Sequence, residues 1–103
     1  MAVDRWAETE KELTEAHALR PGLYIGAPQL VKFLRAVRDD PELGRFIPSV
    51  SLISLSFESH KGPKPRRTWV YNDGTAYVVG PAPGIRCDTI ESALEALRER
   101  TNR

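Results

Sequence analysis

A chain of 103 residues with a formal net charge of +1 and 28 % charged residues has the composition of a folded protein with room for one modest core. So even a balance gives no whole-molecule pull toward nucleic acid or an anionic membrane, and any such role must rest on local clusters. Cys87 is the only cysteine, which excludes an internal disulfide and fits a reducing compartment; no apolar run reaches signal-peptide or membrane-spanning length. The expectation is a cytoplasmic protein with a single domain over residues 1–103.

Residues 4–18 predict a charged helix capped by Asp4, crowded with Glu8, Glu10, Glu12 and Glu15, and carrying a thin apolar stripe of Trp6, Leu13 and Ala16. A helix this polar belongs at the edge of a core or on a partner surface. The stretch Arg20-Pro21-Gly22-Leu23-Tyr24-Ile25-Gly26 then turns the chain. Proline withholds an amide, Gly22 is expected to take a left-handed φ, and Leu23, Tyr24 and Ile25 are expected to plug the core. From Pro28, the residues Leu30, Val31, Phe33, Leu34 and Val37 recur at helical spacing as far as Arg38, and Asp39-Asp40-Pro41 stops that helix. Residues 42–48 form a connector with one short turn, anchored by Leu43, Phe46 and Ile47.

Strand character follows. Val50-Ser51-Leu52 and Leu55-Ser56-Phe57 both alternate, but Ile53 puts them out of phase, which predicts one strand with a bulge near Ile53-Ser54. Arg67–Tyr71 is a second strand, with Trp69 and Tyr71 on one face and Thr68 and Val70 on the other. Asn72-Asp73-Gly74 supplies a tight hairpin, Thr75–Val79 the return strand, and Ile85-Arg86-Cys87 a short fourth strand after Pro81-Ala82-Pro83-Gly84. A last helix carries Ile90, Ala93, Leu94 and Leu97 on one stripe, with Asp88 and Glu91 at capping-box spacing and Arg98, Arg100 and Arg103 at its C-terminal end. The order is ααβββ(β)α. The fold class is α+β: a small antiparallel meander with helices packed on one face.

The heptapeptide Arg20–Gly26 resembles the Arg-Pro-Gly-Met-Tyr-Ile-Gly segment near the start of the ATPase domain of DNA gyrase and its relatives. There too it joins a first helix to a second. The resemblance implies a nucleotide site in which the next helix supplies a carboxylate and an asparagine, for the attacking water and the magnesium. It also implies a later Asp-x-Gly-x-Gly loop that recognises adenine. Here the helix over residues 29–38 contains neither Glu nor Asn, and Asp73-Gly74-Thr75-Ala76-Tyr77 lacks the second glycine in register. The chain is also too short for that fold with its glycine-rich lid. The residues therefore predict a helix–helix corner, with no ATPase activity and no cofactor.

Among the remaining candidates, His60-Lys61-Gly62-Pro63-Lys64-Pro65-Arg66-Arg67 is a basic, proline-stiffened loop beside Trp69 and Tyr71. Clustered cations of this kind steer phosphates or acidic protein surfaces, and lysines and prolines there also protect strand edges. His17, His60 and Cys87 have no metal-ligand spacing, so no metal is expected. A Cys87–His60–Asp88 arrangement requires these residues to meet in the fold. Serines 49, 51, 54, 56 and 59 read as the polar face of a sheet. The expected function is that of a small cytoplasmic, non-enzymatic binding protein, bacterial in style, such as a regulator, immunity-type inhibitor or accessory protein. It would dock a protein partner through Trp6, Trp69 and Tyr71, steered by Lys61, Lys64, Arg66 and Arg67, and its opposite patches would also suit self-association. The alternative is a nucleic-acid-binding module built on the same loop and the Trp69, Tyr71 and Tyr77 strands.

Overall fold

The computed structural model describes residues 4–60 and 63–101. Helix α1 (Arg5–Leu19) starts where Asp4 accepts hydrogen bonds from the Trp6 and Ala7 amides at 3.1 Å each. Helix α2 (Ala27–Asp39) buries Leu30, Phe33, Leu34 and Val37 and leaves Lys32, Arg35 and Arg38 exposed, as its spacing predicts. Asp40 ends it: one carboxylate oxygen accepts from the Glu42 and Leu43 amides, each at 2.9 Å, and holds a single 3-10 turn, Leu43–Arg45. Five strands follow: β1 (Ile47–Ser51), β2 (Ser54–Ser59), β3 (Arg66–Asn72), β4 (Tyr77–Val79) and β5 (Ile85–Cys87). They pair in chain order as an antiparallel meander, and helix α3 (Ile90–Thr101) closes the chain. The class is the expected α+β.

Register fixes the two faces. Pro48 opposes Phe57, Leu55 opposes Val70, Val70 opposes Val79, and Tyr77 opposes both Asn72 and Cys87. These residues share one side, where Leu55, Phe57, Val70, Tyr77, Val79 and Cys87, with Leu13, Phe33, Leu34, Val37, Ala93 and Leu97 of the helices, make one apolar core. Phe33 meets Phe57 edge-on at 6.0 Å and Tyr77 at 5.4 Å. Arg35 spans to α1 through two bonds to Glu10, at 2.7 and 3.0 Å, and Arg98 of α3 pairs with Asp40. The Leu43 amide above all, with the Glu42 amide and Arg98, holds the Asp40 carboxyl below the usual range.

Several expectations are corrected. The predicted bulge is a hairpin: Ser51 pairs with Ser54 around a two-residue turn, Leu52–Ile53, so a single strand becomes two and the sheet has five. Leu52 takes φ 54° there, and a leucine in left-handed geometry is not a turn signal that sequence reveals. The β3–β4 link is a four-residue loop, 73–76, so the return strand starts at Tyr77, two residues later than expected. The capping box of α3 lies one residue on: the Ser92 amide donates to Thr89 Oγ1 at 3.1 Å and the Thr89 amide to Ser92 Oγ at 3.3 Å. At the Arg20–Gly26 corner the left-handed glycines are elsewhere, at Gly74 and Gly84, so Gly22 is not positioned by a positive φ. Only Tyr24 packs on the core; Leu23 and Ile25 are 48 % and 54 % exposed. The glycine with a steric reason is Gly26, where a methyl group would overlap the Asn72 carbonyl at the end of β3.

Candidate functional site

Among the described residues every helix packs on one side of the sheet, and no second layer covers the other. It presents Ile47, Ser49 and Ser51 from β1, Ser54, Ser56 and Glu58 from β2, Arg67, Trp69 and Tyr71 from β3, Val78 from β4 and Arg86 from β5. Strand alternation dictates this set, since each neighbour of a core residue points the opposite way. At one end of the face lies a groove of about 430 Å³ lined by the β1–β2 turn (Leu52, Ile53), by Ser51, Ser54 and Ser56, and by Arg67, Trp69 and Tyr71. That volume falls in the range of small ligand sites, and the lining is mostly apolar with a few polar groups.

Local packing sets each wall. Trp69 lies over Gly80, the residue after β4: the point where a Gly80 Cβ would stand is 2.5 Å from both Cδ2 and Nε1 of the indole, with Cε2 nearer still. Such near-equal distances place the ring flat on the glycine, and only glycine leaves room for it. The Gly80 amide also donates to the Trp69 carbonyl at 2.8 Å, tying the strand beneath the ring. Tyr71 stands opposite Val78 on the same face, half-buried. Leu52 projects from the turn 87 % exposed. Ser56 is the opposite case: it is 1 % exposed, and its Oγ has no hydrogen-bond partner among the described residues. A buried hydroxyl left unpaired costs about 1–3 kcal/mol, so this atom is an acceptor and donor in waiting.

The charge around the groove is uneven. Glu58 lies 3.9 Å from Arg67 and 3.8 Å from His60, while Lys64 and Arg66 are exposed and make no ion pair with a described residue. At the far side, Arg86 reaches Asp73 at 3.0 Å and Thr75 Oγ1 at 3.1 Å. Asp73 also accepts from the Thr75 hydroxyl and from the Ala76 and Thr75 amides, which together hold its carboxyl far below the usual range.

The structure thus brings Arg67, Trp69 and Tyr71 into one groove; Lys64 precedes that strand, and Arg66, its first residue, alternates to the opposite face. Lys61 lies outside the described residues. Trp6 is elsewhere: its ring stands 6.3 Å from that of Phe57, beneath α1 on the helix-covered side. Tyr77 is buried on that side too, against Phe33, with its hydroxyl donating to the Gln29 carbonyl at 3.0 Å, so it does not extend the Trp69–Tyr71 face. Cys87 is buried in the core, where burial pushes its thiol up, and three strand spacings, about 14 Å, separate its strand from the one that ends before His60. Cys87, His60 and Asp88 therefore do not form a catalytic constellation. Among the described residues no group of three or more His, Cys, Asp or Glu side chains could hold a metal ion, and no helix is long and apolar enough to cross a membrane.

Of the groove's lining, the sequence offered Arg67, Trp69 and Tyr71 as candidates by their chemistry and did not offer Leu52, Ile53 or Ser56. The alternation of serines gave their face, not the pairing that sinks Ser56 between Ser49 and Trp69. No protein-family model, curated protein or solved structure matches this chain.

Proposed function

We propose that this is a cytoplasmic, non-enzymatic binding protein that docks a protein partner on the open face of its sheet. The observation that supports this reading is the one-sided architecture: half-exposed Trp69 and Tyr71, exposed Leu52 and the groove between them occupy the face no helix covers. Large aromatic side chains fixed by a rigid strand bind at low entropic cost, and exposed apolar patches with polar rims are typical interaction sites. Regulators, immunity-type inhibitors and accessory proteins work in this way. A photo-reactive phenylalanine analogue placed at Tyr71 tests the reading in the native host. A discrete cross-linked protein at Tyr71, absent when the same analogue replaces Glu95 on α3, supports it; equal labelling from both positions removes it.

A second reading, single-stranded nucleic-acid binding, draws on the flat, half-exposed indole of Trp69 beside Arg67. Titration with DNA and RNA oligonucleotides at two salt concentrations separates the two. Binding that collapses with salt, and weakens when Lys64, Arg66 and Arg67 are neutralised, favours nucleic acid.

A further inference from the structure

We infer that the groove beside the β1–β2 turn takes an extended peptide segment of the partner, one that carries a bulky apolar side chain next to Asp or Glu. This inference rests on the docking reading and adds the chemistry of what is docked. Three independent features carry it.

The first is Leu52. It occupies a left-handed turn position that glycine fills without steric cost, yet it is a large apolar residue, 87 % exposed. Neither backbone geometry nor internal packing accounts for a leucine there. Non-glycine residues held in such geometry cluster at binding sites. Together with Ile53, Trp69 and Tyr71 it gives the groove walls that match an aliphatic or aromatic side chain.

The second is Ser56. Ser56 is part of the groove lining, and its buried hydroxyl, between Ser49 and Trp69 on the neighbouring strands, has no described partner. One neutral polar group inside the ligand, such as a peptide carbonyl or amide, satisfies it. A phosphate backbone fits this mostly apolar lining less well.

The third is charge. Arg67 lines the groove itself and Lys64 is exposed just before its strand, while Arg66 alternates to the other face; Glu58 is the described carboxylate near Arg67, at 3.9 Å. Charges arranged at the rim of an apolar groove select and steer a partner of opposite sign. A segment that places its apolar side chain between Leu52 and Trp69 thereby brings a flanking carboxylate toward Arg67.

The probes are three capped hexapeptides: acetyl-Glu-Asp-Leu-Phe-Glu-Asp-amide, its counterpart with lysine at every acidic position, and one with alanine replacing Leu-Phe. Titrations are followed by amide chemical shifts of the full chain. The acidic apolar peptide is expected to shift Leu52, Ile53, Ser56 and Trp69 and to bind at least about tenfold more tightly than either control. Leu52→Gly, Ser56→Ala and Arg67→Gln are each expected to weaken it by roughly three- to tenfold while the urea midpoint falls little or not at all, a combination that a merely structural role does not produce. Equal binding of the lysine peptide, shifts centred elsewhere, or tighter binding of a single-stranded oligonucleotide would overturn the inference. Peptides that fail while cross-linking from Tyr71 still captures a discrete protein overturn the peptide chemistry alone. Loss of the cross-link as well removes the docking reading with it.

Discussion

On the helix-covered face of the sheet, Phe57, Val70 and Val79 have no exposed surface; on the other face Trp69 and Tyr71, adjacent to Val70 in the same strand, stay half-exposed. One strand therefore serves two solvents. The covered side gains from area removed from water, roughly 25 cal/mol per Å², and from close packing. The open side keeps apolar groups at the surface and leaves a hydroxyl unpaired, an arrangement that stability alone does not favour. The difference separates residues that hold the fold from residues free to act on something else, and substitutions on the two faces should behave differently.

The largest effect is expected at Phe57, the ring that Trp6 and Phe33 both meet. Phe57→Ala should cost about 3–5 kcal/mol in urea unfolding, since the cavity it leaves is enclosed by two layers. Gly80→Ala comes next and tests how firmly the open face is built. The added methyl would overlap the Trp69 indole, so a loss of about 1–3 kcal/mol is expected, with a red-shifted tryptophan emission as the ring leaves the strand. An unchanged emission would mean that the indole does not rest on the glycine.

Smaller again is the effect of charge at the β3–β4 loop. The Thr75 hydroxyl, the Ala76 and Thr75 amides and Arg86 depress the Asp73 carboxyl from its ordinary 3.8, so the folded state binds its proton less readily than the unfolded chain. The stabilisation is therefore complete above that ordinary value and is lost as pH falls through the lower folded value. Asp73→Asn should be less stable than the parent at pH 7, and the gap should narrow as pH drops below about 4. A gap that widens in acid contradicts this assignment. Smallest, and opposite in sign, is Leu52→Gly, which should leave stability unchanged or raise it by up to about 1 kcal/mol by relieving the left-handed leucine. A marked loss of stability there would show that Leu52 supports the hairpin.

Much of the covered face was legible beforehand. The stripe of α2 from Leu30 to Val37 and the alternation of Thr68, Trp69, Val70 and Tyr71 are local periodicities, and local periodicity is what a sequence displays. The open groove was legible only in part. Arg67, Trp69 and Tyr71 announce themselves by residue type. Leu52 and Ser56 do not, because one acts through an unusual backbone angle and the other through burial by strands that pair across the chain. Trp6 shows the reverse problem. A tryptophan on a polar helix reads as an anchor for a partner, but its place against Phe57 depends on how α1 crosses the sheet.

By itself the sequence determined the helices, most strand residues, the α+β class and the alternation that divides the sheet into two faces. These follow from interactions between residues near one another in the chain: caps, periodicity and turn chemistry. Tertiary structure alone decided that the break at Leu52–Ile53 is a hairpin and that Trp69 lies on Gly80. Those outcomes depend on contacts between distant segments, whose geometry is set by packing rather than by local preference. The open face, and with it the candidate site, exists because the helices of the described residues all pack on the opposite side.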